Sequence, residues 1–409
     1  MQWRIVRLAL LCLWAGRLGQ AQEFKIYDRT VQVHGFASQG FVYTSGNNWL
    51  TMNSNAGSGA MTDMGLNLTS QFSDKLRVGG QVYDRNLGQL GQWHPSLDWA
   101  LADYRFKNWL GVRGGKVKTT LGLYNDSQDL SFARVFALLP QGIYPTDLRD
   151  ATIAHTGGGD LYGNIALQHE AGEIAYTAYA GRRSDSIYSG YPYLLQDWQV
   201  FFRSFQGWQY GGDLRWTTPV NGLTIGASRM NQSITGKGTF VCLFDPGAGL
   251  VPIERTTKTS WTNMFYGEYM VRRLRIDAEY RRDFFDIPYV PGVDLQTNIH
   301  AWYIAGSYRI GKRVQVGSYY SHYVTQNTGG AALAAIIGST DPSLPWNHVY
   351  DKVISGHVDL NRFSYVKVEG HFMNGYGWAT YPNGFYLQQN PQGFQTNTNA
   401  LVVKTGFHF

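Results

Sequence analysis

Between Leu274 and Asp283 five ionisable side chains occupy every second position: Arg275, Asp277, Glu279, Arg281 and Asp283. Leu274, Ile276, Ala278 and Tyr280 fill the places between them. Alternating charges along one side of an extended chain make an electric field, and a field can attract, orient or repel a passing solute without breaking a bond. A second set of charges lies earlier. Arg77, Arg85, Arg105, Arg113, Lys116 and Lys118 are basic, whereas Asp126, Asp129, Asp147 and Asp150 are acidic and stand beside Arg134 and Arg149. A basic wall facing acidic groups across a gap would set up a transverse field that orients polar solutes.

Bond chemistry has little to build on. Gly157-Gly158-Gly159 precedes a strand pattern, but no helix carrying Lys-Ser or Lys-Thr follows, so a phosphate cradle is not indicated. The histidines are scattered without helical metal-ligand spacing, and His408 reads as a lumen or interface residue. A wall-mounted Ser-His hydrolase is compatible with the composition, yet no G-x-S-x-G turn marks a nucleophile. No catalytic group, metal site or cofactor is expected. Cys242 stands alone once Cys12 is discounted, and Ala331 to Gly338 reads as an apolar patch of a long loop.

The charges need elements to hold them, and those elements read as strands. In a strand successive side chains point to opposite faces, so residues 274–283 have one apolar face and one fully charged face. Five same-side charges cannot face lipid, where Lys or Arg at the midplane costs ~2–4 kcal/mol. They are expected to face water inside a closed barrel. Met61 to Phe72 and Leu76 to Arg85 alternate in the same way around Ser73-Asp74-Lys75, and the pattern continues to sixteen strands. Short turns, such as Arg272-Arg273, Gly311-Lys312 and Asn361-Arg362, alternate with long connections. That segregation is the mark of a transmembrane antiparallel β-barrel with periplasmic turns and extracellular loops. The last stretch, Asn399 to Phe409, puts Leu401, Val403, Phe407 and Phe409 on one side, and Phe407 and Phe409 are expected to close the barrel against the first strand.

Residues 1–21 open with two arginines, Arg4 and Arg7, followed by a short apolar run and the small residues of a cleavage site, the plan of a signal peptide. Without them 32 basic residues stand against 29 acids, so the basic balance is slight and nucleic acid is not an expected partner. The mature barrel is taken as 22–409. Abundant aromatics, with 27 Tyr and 13 Trp, suit the two girdles of a membrane barrel and outer-membrane lipid as its surroundings.

One connection stands apart. Thr119 to Asp150 is long and apolar, with Phe132, Val135, Phe136, Leu138, Leu139 and Ile143, and is expected to fold into the lumen with a short helix over Ser131 to Leu139. At this point the sequence resembles the Gram-negative outer-membrane porins. Gly114 to Asp150, with GGKVKTTLGLYND, FARVFALLPQGIYP and LRD, is similar to the phosphate-selective porin O/P superfamily. The likeness covers the whole mature chain in architecture and Met64 to Gly163 in motif. It implies a homotrimer with one pore per subunit, assembly through the C-terminal strand by the barrel-assembly machinery, and a third loop narrowing each lumen. The constriction would be lined by Arg113, Lys116, Lys118, Arg134 and Arg149 on the positive side and Asp126, Asp129, Asp147 and Asp150 on the negative. The charges leave two readings open: a general pore for small hydrophilic solutes and ions, or a channel with a saturable site for phosphate or another anion.

Overall fold

The computed structural model describes residues 22–26, 29–197, 199–241, 247, 249–290, 293–328, 341–377 and 383–409. Cys242, the expected signal peptide (residues 1–21) and Ala331 to Gly338 lie outside them. Along the chain the strands are β1 (Gln22–Ile26), β2 (Arg29–Ser45), β3 (Ser58–Gln71), β4 (Leu76–Leu87), β5 (Ser96–Lys107), β6 (Leu110–Lys118), β7 (Ala154–Ala166), β8 (Glu173–Asp185) and β9 (Val200–Thr217). There follow β10 (Leu223–Val241), β11 (Leu250–Thr256), β12 (Thr259–Val271), β13 (Leu274–Val290), β14 (Val293–Ile310), β15 (Val314–Thr328), β16 (His348–Asp359), β17 (Ser364–Asn374) and β18 (Asn397–His408). One short helix, α1 (Gly190–Gln196), lies between β8 and β9.

Sixteen of these strands close an antiparallel barrel, the number expected. β1 is a hairpin arm on β2. β11 and β12 together form one partner for β10: Thr235 pairs with Thr256 and Asn231 with Trp261, a one-residue offset taken up at Thr257-Lys258. Residues 232–241, 250–256, 285–290 and 293–299, where the sequence alternation gives way to a long connection, are therefore strand. Beyond the lipid both faces of a ribbon are wetted, so apolar alternation fades while the backbone ladder continues.

Closure runs through β18 and β2. Leu401 pairs with Tyr43, Val402 with Val42 and Phe407 with Ala37, and the Phe409 and Gly35 amides exchange hydrogen bonds of 2.9 and 3.2 Å. A Cβ on Gly35 would lie 2.6 Å from the Phe409 ring, so the terminal aromatic packs where a side chain is missing. Phe407 stacks beside it at 6.5 Å.

Outward faces are apolar: Leu66, Leu68, Val82, Ile304, Ile354, Val368 and Leu401 are all exposed. The inside is of two kinds. On β12 and β14 to β16 the middle of the inward face is largely apolar, with Met264, Tyr303, Ala305, Tyr319 and Val353 buried among polar residues such as Ser321, Asp351 and Ser355. On β3 to β9 they are polar or charged, with Gln81, Arg85, Asp98, Asp160 and Asp213. At the loop end Trp49, Leu50, Leu90, Leu138, Tyr193 and Tyr386 come from five connections and pack into one cluster.

Candidate pore constriction

Residues 119–153 join β6 to β7 and run across the lumen. Gly122 starts the crossing at φ 66°, and a Cβ there would meet Glu279 Oε2, Met264 Cε and Tyr144 Oη, each at 2.5 Å, so the chain can hug β12 and β13 only without a side chain. Leu121, Val135, Phe136, Leu139, Ile143 and Tyr144 then cover the apolar inner wall. That contact explains why a long connection is so apolar, since burial returns ~25 cal/mol per Å².

Charged wall residues pin the loop on this far side. Glu279 accepts from the Leu123 amide (3.0 Å), Tyr144 Oη (2.8 Å) and Tyr303 Oη (2.7 Å). Asp277 accepts from Tyr124 Oη at 2.6 Å, Arg275 donates to the same oxygen at 2.8 Å, and Arg281 donates to the Ile143 carbonyl. The inward row of β13 thus faces into the barrel, but Asp277, Glu279, Arg281 and Asp283 are buried under the loop instead of standing in water. Two strands were not expected to contribute. On β17, Lys367 Nζ donates to the Ser131 and Phe136 carbonyls (2.5 and 2.9 Å) and Glu369 accepts the Ala137 and Leu138 amides (2.8 and 3.0 Å). His371 links Glu369 to Asp351 of β16 at 3.0 and 2.8 Å. The spacing Lys367-x-Glu369-x-His371 between apolar Val366, Val368 and Phe372 is the signal that would have found them.

These contacts also decide the loop's local form. The helix expected over Ser131 to Leu139 is a correction: only Ser131–Ala133 makes a 3-10 turn, and Arg134 is extended at φ −134°, ψ 163°. Lys367 and Glu369 take the carbonyls and amides that a helix would have bonded to one another.

On the near side opposite charges touch. Arg85 meets Asp150 at 2.8 Å, Arg149 meets Asp98 at 2.7 Å, and Lys118 meets Asp129 at 2.6 Å. The expected gap between a basic wall and an acidic loop is therefore replaced by ion pairs. Burial alone would lower the Arg149 guanidinium's pKa, but Asp98 beside it reverses the balance and raises it, and Tyr83 holds the guanidinium at 4.3 Å from its ring centre.

The remaining opening lies between the loop and β3, β4 and β18. A cavity of ≈ 50 Å³ lies there, lined by Asp63, Arg85, Lys404, Gln128, Arg134 and Arg149, with Tyr83, Leu138, Leu139 and Tyr144 among its apolar and aromatic margins. Lys404 is paired with Asp63 at 2.8 Å. Arg134 has no acidic partner among the described residues: its Nη groups donate to the Ser127 and Gln128 carbonyls. The Nε groups of Arg134 and Arg149 are buried and unpartnered.

Of the expected constriction residues, Arg134 and Arg149 meet at this cavity, joined by Arg85 of the basic wall, with Asp129, Asp150 and Lys118 paired to its neighbours. Others lie elsewhere. Lys116 sits in a bulge of β6, its Nζ on the Leu97 carbonyl, and lines an adjoining void of ≈ 290 Å³ that shares Tyr83, Arg85 and Arg149 with the first cavity and also carries Asp150. Asp147 is buried, bonded to Tyr386 Oη at 2.5 Å. Arg113 pairs with Asp160 (2.8 Å) and Arg77 with Asp103 (3.1 Å). Arg105 is exposed two residues from the end of β5, and Asp126 is exposed without an ion pair among the described residues.

No family model and no curated protein matches the sequence. Solved structures do match the fold. In-vitro folded OmpT, an outer membrane protein of Vibrio cholerae, aligns over 95% of this chain and 100% of its own at 13% identity with a TM-score of 0.59, and its trimer form over 93% and 99% at 12% with 0.58. The anion-selective porin from Comamonas acidovorans covers 93% and 100% at 12% identity, TM-score 0.54. The outer membrane channel DcaP of Acinetobacter baumannii covers 94% and 99% at 12%, TM-score 0.55. The fold is that of the outer-membrane porins. An apolar exterior on a closed sixteen-strand ladder is the physical content of that statement, because lipid tolerates no unpaired backbone.

Proposed function

We propose that this chain is a passive channel of the Gram-negative outer membrane, admitting small hydrophilic solutes and favouring anions at its narrowest point. The observation that carries the reading is the cavity beside the lumen-crossing loop, where four cationic side chains and one carboxylate form the polar margin. Neighbouring acids neutralise Arg85, Arg149 and Lys404, leaving Arg134 as the surplus positive charge. A surplus cation in a narrow, low-dielectric passage lowers the entry cost of an anion and raises that of a cation. The resemblance to the phosphate-selective superfamily and the fold shared with an anion-selective porin agree with this sign. Three chains are proposed to associate, in keeping with the trimer form of one structural neighbour. No bond is made or broken in this reading, and vesicles containing the protein should release no fatty acid.

The decisive measurement is the reversal potential of reconstituted protein under a KCl gradient. A chloride preference supports the reading; a potassium preference refutes it. Deleting Asp126 to Leu138 should raise single-channel conductance, and an unchanged conductance would remove the loop from the pathway. Block by millimolar phosphate would add a saturable phosphate site to the channel.

A further inference from the structure

On the outside of the barrel, facing away from the lumen, two neighbouring arginines share one indole and lack an acidic partner among the described residues. Arg229 of β10 and Arg282 of β13 are exposed, while their chain neighbours Ser228, Met230, Arg281 and Asp283 are buried inward. One register row joins them across the sheet: Arg229 pairs with Asn263, Asn263 with Arg282, and Arg282 with His300. Both guanidinium groups lean over the same indole, their carbons 5.5 and 5.6 Å from the Trp261 ring centre. Trp261 is in turn stacked on Phe284 at 5.8 Å. Arg229 is steadied by Asn231 Oδ1 and Asn263 Oδ1, each at 3.1 Å.

Their height on the wall matters. Below Arg282 the outward residues of β13 are Leu274, Ile276, Ala278 and Tyr280, which puts the arginine about 27 Å along the strand from its turn. At a tilt of about 40° that is about 21 Å of barrel height, close to the upper edge of an apolar band about 25 Å tall. The row therefore lies at the loop-end interface, where a long side chain can reach headgroups and an indole sits at ease. The nearest outward carboxylate on β13 is Asp286, four residues further on. Two cations held against one indole, bonded only to neutral amides where bonds are recorded and with no counter-charge among the described residues, call for an anion from the membrane itself. A guanidinium pair matches phosphate in shape and in number of donors.

We infer that Arg229, Trp261 and Arg282 form a site for a phosphate group of an outer-leaflet lipid headgroup. The inference rests on the placement of the barrel in an outer membrane and not on its selectivity. Native mass spectrometry of the detergent-purified full-length protein tests it, with diphosphorylated lipid A and its dephosphorylated form as probes. Wild-type protein should retain the phosphorylated lipid at least tenfold better than the dephosphorylated one, and excess inorganic phosphate should not displace it. R229Q/R282Q should lose that retention while K237Q keeps it, with folding checked by heat-dependent gel mobility. Equal retention of the two lipids by wild-type protein would overturn the site without any variant. Retention by the folded double variant, or displacement by inorganic phosphate, would overturn it as well. Conductance of the wild-type protein is read separately, so a failure of the channel reading is distinguishable from a failure of this one.

Discussion

Replacing Glu369 with alanine should free the middle of the lumen-crossing loop and widen the channel. The fully buried carboxylate accepts the Ala137 amide at 2.8 Å, the Leu138 amide at 3.0 Å and a nitrogen of His371 at 3.0 Å. Hydrogen bonds to a charged group contribute ~1.5–3 kcal/mol each, and a buried amide left without an acceptor costs ~1–3 kcal/mol. Two orphaned amides therefore weaken the attachment by ~3–6 kcal/mol, before counting the imidazole left facing Asp351 alone. That exceeds the few kcal/mol at which a segment held to a wall opens locally. The barrel ladder is untouched, since Glu369 projects from β17 into the lumen. Planar-bilayer recording should show E369A with a larger and noisier unit conductance than wild type, while gel mobility still reports a closed barrel. Glu369→Gln keeps an acceptor for at least one amide and should fall between. If E369A folds and conducts as wild type does, these bonds do not hold the loop.

Four further substitutions separate the loop's supports from its charges. Lys404→Glu reverses a cation at the cavity edge and should move the reversal potential toward potassium; an unchanged potential would place the ion path elsewhere. Gly317 faces the loop, and a Cβ there would come 2.8 Å from Val135 and 3.2 Å from Phe136, whereas nothing lies within 4 Å of a Cβ on Gly356. Gly317→Val should therefore alter conductance and G356V should not, and equal effects would refute the packing argument. Burial raises the pKa of Asp147, opposed by the hydroxyl of Tyr386. The protonated carboxyl consequently fits the fold better, so its contribution to holding the loop is present at acid pH and is lost as pH rises through its folded value. Asp147→Asn should flatten that dependence, as read by protease cleavage of the loop across pH, and a retained slope would assign it to another group.

Much of the wall was legible in the chain. The five charges between Arg275 and Asp283 name their own face, and turns such as Arg272-Arg273 and Asn361-Arg362 fall where alternation breaks. Local pattern suffices there because a strand's period depends only on its own residues. The constriction depends on a path through space, and pattern could not supply it. That Lys116 leaves the group follows from a bulge between Gly115 and Val117, which shifts the register of one strand against the next. That Asp129 and Asp150 neutralise Lys118 and Arg85 follows from where the loop lands. Lys367, Glu369, Lys404 and Asp63 sit on strands whose alternation was plain, but their importance appears only when residues 131–143 arrive beside them.

The apolar inner wall explains why the loop takes this path at all. A barrel strand with lipid outside and water inside should alternate, yet β14 to β16 bury Tyr303, Ala305, Tyr319 and Val353 on the lumen side while presenting Trp302, Ile304 and Ile354 outward. Left open, that inner face would expose a broad apolar patch to water, and such patches are normally covered. The loop is the cover. Its polar backbone, which could not be buried there unpaired, is met by Lys367, Glu369, Glu279 and Arg281 spaced along the edges of the patch. Covering one half of the lumen leaves solutes only the other half, where the charges are. Hydrophobic burial thus sets the path of the loop, and ion pairing along the opposite wall sets which charges are left uncompensated beside it.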